Sequence, residues 1–472
     1  MDKKSDSFNT IEEGTSENSL LAIVNELIYL ITSAIPIILS TFIQFSIPTI
    51  NLYSMSQYGA IEISAVALGA TLANTTGNSI SLGMATALDT LCSQAFTGAS
   101  DKKQVGVHLQ RGIVIQMMMT IPIFTVWWFS ESLLLFLQQT PEVAKLSSIY
   151  LRIMILGFPP YILFECLKKY LQAQKIMRAQ TWVFLLTVPI TIIVNYFLMW
   201  HPTTSIGFIG APFTIVFSNW ITFLSMMIYI YYVEGLECWG GWTKDCLTNF
   251  SIYINLGLNG ILMLCSEWWA WSLISLTVSY LGEDSLAAHF IALNIDSMLY
   301  AYSLSIGIVA SNRIGNLLGA HHVNRAKLTS SCSILLSVTV PIFNSLFLFT
   351  FRHQFASLFT NVKELKDILI VLIPFTCVYH VFDSVACCCS GILRGQGRQK
   401  IGGIVNLLSW YCVAIPISIV LAFYLKYGLF GMWYGICIAL FGTSFALFYF
   451  VMFSNWDQLF ADAKKRLELC EN

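Results

Sequence analysis

Apolar residues gather along this chain into twelve long stretches, approximately 27–52, 63–87, 112–129, 149–164, 182–200, 206–233, 252–281, 286–310, 328–351, 368–393, 401–425 and 429–453. Most have about the length, roughly 20 residues, that a helix needs to cross a hydrocarbon core about 30 Å thick. Lipid offers no partner to a bare N–H or C=O, so a chain with this pattern must satisfy its backbone inside helices. The pattern predicts an all-α polytopic membrane protein with twelve transmembrane helices.

An even number of spans puts both ends on one side, and basic residues choose the side. Fourteen lysines and arginines fall in the loops after even-numbered spans and five in the tails, against six in the loops after odd-numbered spans. The ends are therefore expected in the cytosol. Residues 1–25 lack the basic start and apolar core of a signal peptide and read as a disordered cytosolic tail, with 456–472 as a second one. The sequons at Asn74 and Asn249 fall in an apolar run and on the cytosolic side, where neither should be used.

The chain also repeats itself in order. Ser81-Leu82-Gly83 returns as Ser305-Ile306-Gly307, Gly98-Ala99 as Gly319-Ala320, Leu171-Gln172-Ala173-Gln174 as Leu393-Arg394-Gly395-Gln396, and Gly207-Phe208-Ile209-Gly210 as Gly428-Leu429-Phe430-Gly431. Six spans per repeat make the two halves enter the membrane in the same direction. Such parallel repeats are found in transporters that hold substrate between two bundles. The expected division is an N-terminal six-helix lobe over 26–233, a cytosolic linker over 234–249 and a C-terminal lobe over 250–455.

Composition sharpens the class. With 56% hydrophobic and 11% charged residues, against about a quarter charged in soluble domains, a water-soluble enzyme is excluded. A net charge of -1 gives no field to attract nucleic acid. The 13 cysteines, mostly inside apolar runs and without paired CxxC spacing, read as small membrane-compatible residues rather than metal ligands. The glycine-rich 391–397 lacks the lysine and hydroxyl of a phosphate-binding loop, so nothing points to ATP. No cofactor is expected, and an ion gradient is left as the energy source.

Ionisable groups inside a span are costly and mark functional sites by default. Three acids lie mid-span, Glu267, Asp296 and Asp383, all in the second half. The repeat offset carries Glu267 beside Gln44 and Asp383 beside Tyr161, so the ion chemistry is expected in one lobe only. Gln44, Asn74, Asn78 and Asn294 are candidates to line a cavity, with interhelical hydrogen bonding as the plainer role. Trp268 and Tyr300 offer aromatic walls for an organic cation, whereas Trp127 and Trp128 read as interface anchors. His289 and His380 read as packed core residues.

These residues resemble the multidrug and toxic compound extrusion family in its eukaryotic branch. The resemblance rests on Gly83-Met84-Ala85-Thr86-Ala87-Leu88-Asp89-Thr90-Leu91-Cys92-Ser93-Gln94-Ala95-Phe96, Val107-His108-Leu109-Gln110-Arg111, Trp239-Gly240-Gly241-Trp242, Met263-Leu264-Cys265-Ser266-Glu267-Trp268-Trp269, Arg313 to Ala320 and Gly391 to Lys400, in the family's order. It implies two six-helix lobes that exchange protons for organic cations, drugs or other xenobiotics, with sodium as the other coupling ion left open. Glu267 and Asp383 match the family's seventh- and tenth-span acids, and Gln44 and Asn74 its first-lobe polar residues. Many relatives carry a second glutamate five residues after the first, where this chain has Ser272; Asp296 is the neighbouring acid available to replace it.

The partners implied are a small organic substrate and the bilayer, with no nucleic acid, and the expected state is a monomer in the plasma or vacuolar membrane. Two alternatives stand beside export: a lipid-linked precursor flippase of the same superfamily, and an intramembrane transferase with His380 as its base. The charge asymmetry makes one direct prediction: a cysteine introduced beside Lys102 should react with an impermeant reagent only after the cells are permeabilised. Labelling from outside would reverse the orientation.

Overall fold

The computed structural model describes residues 16–360 and 362–471. All regular structure among them is helical, with no strand. Eleven helices are long and apolar enough to cross a membrane: Leu20–Met55, Gln104–Trp128, Pro141–Ala173, Ala179–Met199, Gly207–Tyr232, Phe250–Ser279, Glu283–Gly319, Val323–Thr350, Lys363–Gln396, Gln399–Tyr424 and Gly428–Met452. The remaining span, second in chain order, is assembled from Ala60–Ala73 and Ser79–Gly98, joined through a π-helical turn at Asn74–Asn78. These are the expected twelve.

Most spans are longer than their apolar stretches. The first helix runs Ser16–Met55, so part of the expected 1–25 tail is helical and the rest lies outside the described residues. Its 40 residues make about 60 Å at 1.5 Å per residue, well beyond the hydrocarbon. The same excess at Gly98, Ala173, Gly319 and Gln396 carries several spans past the lipid on the side of the chain ends, called here the basic face.

Two apolar clusters centre on one repeat each, and a third joins them. One gathers spans 2 to 6 around Trp127, Tyr150, Phe158 and Tyr170. Another gathers spans 7 to 12 around Tyr379, Trp410 and Trp433. The third is built from spans 8, 9, 10 and 12 together with the first half of span 1, through Leu30, Ala34 and Ile37. There Glu26 is buried against Arg313, whose Nε and Nη2 donate to its two oxygens at 2.9 and 3.0 Å. Reciprocally, span 7 begins on the N-terminal lobe, with Tyr253 and Leu256 in that lobe's cluster. Spans 1 and 7 occupy equivalent places in the duplication, so each lobe lends the start of its first helix to the other.

Small residues let the lobes approach. A Cβ on Gly260 of span 7 would lie 2.0 Å from Thr86 Oγ1 and 2.4 Å from the Gly83 carbonyl of span 2. Within the C-terminal lobe, a Cβ on Gly391 would lie 2.2 Å from the Gly307 carbonyl. The linker is folded rather than loose: Tyr170 donates to the Gly235 carbonyl at 2.7 Å and Gln110 Nε2 to that of Gly241 at 2.6 Å. The expected second tail is a helix, Trp456–Glu471, lying on the basic face.

Overpacking costs about 1–3 kcal/mol when nothing gives way. Gly391→Val, wedged inside one lobe, should lower the thermal midpoint of the purified protein by several degrees. Gly260→Val, which the lobes relieve by parting, should lower it less. Equal losses would mean that the lobes do not move as units.

Candidate functional site

The first-lobe candidates meet at the break in span 2. A π turn adds a residue to the helix and frees carbonyls, a device common at functional sites. Here it is supported from behind: Trp127, fully buried rather than an interface anchor, donates from Nε1 to Thr76 Oγ1 at 2.9 Å and packs where a Gly77 side chain would stand. Trp128 is exposed, as an interface residue should be. Asn78 Nδ2 donates to Asn74 Oδ1 at 2.7 Å across the turn. Both line a cavity of about 170 Å³ with Gln44, Tyr161 and Asn219. It contains no ionisable acid or base beyond tyrosine.

The second-lobe candidates form a separate cavity of about 50 Å³. Glu267 and Trp268 of span 7, Tyr300 of span 8 and Asp383 of span 10 line it, with Arg394 and Asn406. Asp383 is buried, one turn after Tyr379 on the same helix, and its Oδ2 has no partner among the described residues. Asp296 lines neither cavity but is buried within electrostatic reach of Glu267 and Asp383, with Oδ1 also unpartnered. Three carboxylates thus share one poorly solvated region. A proton or a bound cation there would lessen the repulsion among them.

Two expectations are corrected. Asn294 is exposed, donates to the Phe290 carbonyl of its own helix at 2.8 Å and lines neither cavity. The acids and amides also do not share one cavity in this state. His289 is packed as expected, its Nε2 3.1 Å from Ser275 Oγ, whereas buried His380 has neither ring nitrogen paired among the described residues.

A third group is hidden from the apolar pattern, because stretches that end near 164 and 393 leave Lys169 and Arg394 in loops. Both are buried in helices. Lys169 Nζ of span 4 lies 2.9 Å from Asp89 Oδ2 of span 2, and Arg394 Nε of span 10 lies 3.9 Å from the same oxygen. Asp89 is wholly buried. Around it the seam between lobes is stitched by Thr90 to the Arg394 carbonyl at 2.6 Å, Gln94 to the Gly395 carbonyl at 3.0 Å and Thr97 to the Asn316 carbonyl at 2.6 Å. Further from the basic face, Trp269 Nε1 reaches the Thr75 carbonyl at 2.9 Å. The lobes are therefore closed on the basic face. The available signal was an acid in the last turns of an otherwise apolar span, facing basic residues in two later ones.

A sequence model of the MatE family matches residues 36–197 and 260–420, one segment in each repeat. The chain belongs to the MatE family. An uncharacterized transporter of Schizosaccharomyces pombe is 34% identical over 94% of this chain and 82% of its own. Multidrug and toxin extrusion protein 2 of Mus musculus is 30% identical over 93% and 76%, and multidrug and toxin extrusion protein 1 of Homo sapiens is 30% identical over 96% and 79%. The crystal structure of the eukaryotic MATE transporter AtDTX14 superposes with a TM-score of 0.87 at 25% identity, covering 94% of this chain and all of the other. This MatE chain is thus an integral membrane transporter of the family's eukaryotic branch, with twelve helices in two lobes, and not an enzyme. The transferase reading of His380 falls with that.

Breaking a buried ion pair from one side leaves an uncompensated charge, at about 3–5 kcal/mol. Asp89→Asn should therefore weaken closure, seen as a lower yield of crosslink between cysteines placed at Thr97 and Asn316. Removing Asp89 and Lys169 together should cost less than the sum of the single changes. Unchanged crosslinking in Asp89→Asn would show that the charges do not hold the seam.

Proposed function

We propose that this protein is a proton-driven antiporter that exports organic cations and other lipophilic xenobiotics, acting as a monomer in the plasma or vacuolar membrane. One observation carries the reading: Glu267 and Asp383 line a single cavity, with Asp296 beside them, in only one of two duplicated lobes. An amide or phenol stands at the matching positions of the other lobe. Cation and proton then compete for the same carboxylates, which makes exchange obligatory. The wall of Trp268 and Tyr300 suits a flat or lipophilic cation.

The state described is closed on the basic face, which the lysine and arginine count assigns to the cytosol. Among the described residues, hydrogen bonds beyond Trp269 toward the opposite face stay within one lobe. Rocking the lobes about the middle of spans 2 and 7 would expose the cavities to either side in turn. Protons enter from the outside or the vacuole, neutralise the acids and displace the substrate.

The test is substrate accumulation in membrane vesicles under an imposed pH gradient, with a sodium gradient run in parallel. Glu267→Gln with Asp383→Asn, fixed in a neutral form, should fold yet lose gradient-driven transport by about a hundredfold or more, equivalent to about 2.7 kcal/mol, because no carboxylate is left lining the cavity. Asp296→Asn should give a smaller loss, or an equal one if Asp296 stands in for the acid absent at Ser272. Full activity in the double variant would sink acid coupling, and activity under sodium alone would replace the proton.

A further inference from the structure

The helix Trp456–Glu471 places an apolar residue at every third or fourth position, Trp456, Leu459, Ala463, Leu467 and Cys470, which makes one continuous stripe. That stripe does not rest on one lobe. Trp456, Leu459 and Ala463 are buried in the cluster of spans 8, 9, 10 and 12. Leu467 packs on the N-terminal lobe's cluster, with its Cδ1 against Gly98. The polar contacts divide in the same way: Gln104 Nε2 of span 3 donates to the Cys470 carbonyl at 2.7 Å, and Asn249 Nδ2 of the linker to the Leu469 carbonyl at 2.9 Å. Between the two halves, Arg466 spans the seam. Its Nε donates to Gln94 Oε1 of span 2 at 3.2 Å and its Nη2 to the Gln396 carbonyl of span 10 at 3.1 Å.

We propose that this helix is a clasp, holding the two lobes together on the basic face, and that its far half must leave the N-terminal lobe each time that face opens. The near half follows directly from span 12, across only Phe453, Ser454 and Asn455, so it travels with the C-terminal lobe. The far half is bound to Gly98, Gln104 and the linker, which travel with the other lobe. A rigid rod fixed to both cannot accommodate their separation. The clasp adds to the Asp89 closure from outside the lipid, where water competes for its hydrogen bonds, which makes it the tunable part of the gate. Anything that peels off the last turns, such as a binding protein or an added charge, would then favour the open basic face.

The clasp rests on alternating access but not on which ion drives it, and two measurements on the full-length chain separate the two. First, a cysteine at Thr90, buried in the seam, is labelled by a maleimide reaching the basic face. Arg466→Ala and, separately, Leu467→Asp should each raise its labelling rate about tenfold, as loss of one charged hydrogen bond or one buried anchor allows, while Cys377 in the lobe core stays protected. Second, Gln104→Cys crosslinked to Cys470 by a short cleavable bis-thiosulfonate should stop transport, and reduction should restore it; the parent chain with Gln104 controls for other thiols. Unchanged Thr90→Cys labelling in both variants, or undiminished transport in the crosslinked protein, would overturn the clasp. Absence of transport in the reduced protein as well would count against the exporter reading alone, and the labelling arm would still decide the clasp.

Discussion

Asp89 is the point on which the closed state depends. It is a carboxylate with no exposed surface, held by a lysine of its own lobe and facing an arginine of the other. A charge in such a place is stable only while its counter-charges stay. Parting the lobes removes one of the two cations, so the movement cannot proceed until water or another group reaches the seam. This cost is what makes closure a discrete state and not a continuous flexing of two loosely touching bundles.

The same arginine belongs to the acid cavity. Arg394 lines it with Glu267 and Asp383 while its other side looks toward Asp89. Its Nε and Nη2 make no hydrogen bond among the described residues. The closure and the acid cavity therefore share one helix, span 10. The amide-lined cavity of the other lobe has no such link; its shape is fixed by a π turn braced on Trp127. Duplication has left two lobes with one architecture and different linings, carboxylates in one cavity and amides in the other.

Irregular helix accompanies both cavities. In the first lobe the break falls in span 2 beside Asn74 and Asn78. In the second it falls in span 11, where π segments at Ser409–Ala414 and Val420–Tyr424 flank Pro416. Span 2 is thus irregular at the seam and span 11 at Trp410, which lines the acid cavity. In lipid, carbonyls released by such breaks must be met by protein, and Trp269 meets that of Thr75.

The number of spans, the duplication, the one-sided placement of the acids and the family were all legible in the sequence, because each is written in local hydrophobicity or in short motifs. Apolar length predicts a crossing helix without knowing its neighbours, and a mid-span acid stands out against any apolar background. Helix ends were read too short, since a helix continues past the lipid wherever its residues allow it and no hydrophobic signal marks the stop. What the tertiary structure alone decided is pairing. Thr90 meets the Arg394 carbonyl across 304 positions of chain, and a lysine and an arginine that look like loop charges become the counter-ions of Asp89 only when three spans converge. Likewise residues 456–471 have the composition of a tail, and they form a helix whose apolar stripe rests on both lobes, a surface that neither offers alone.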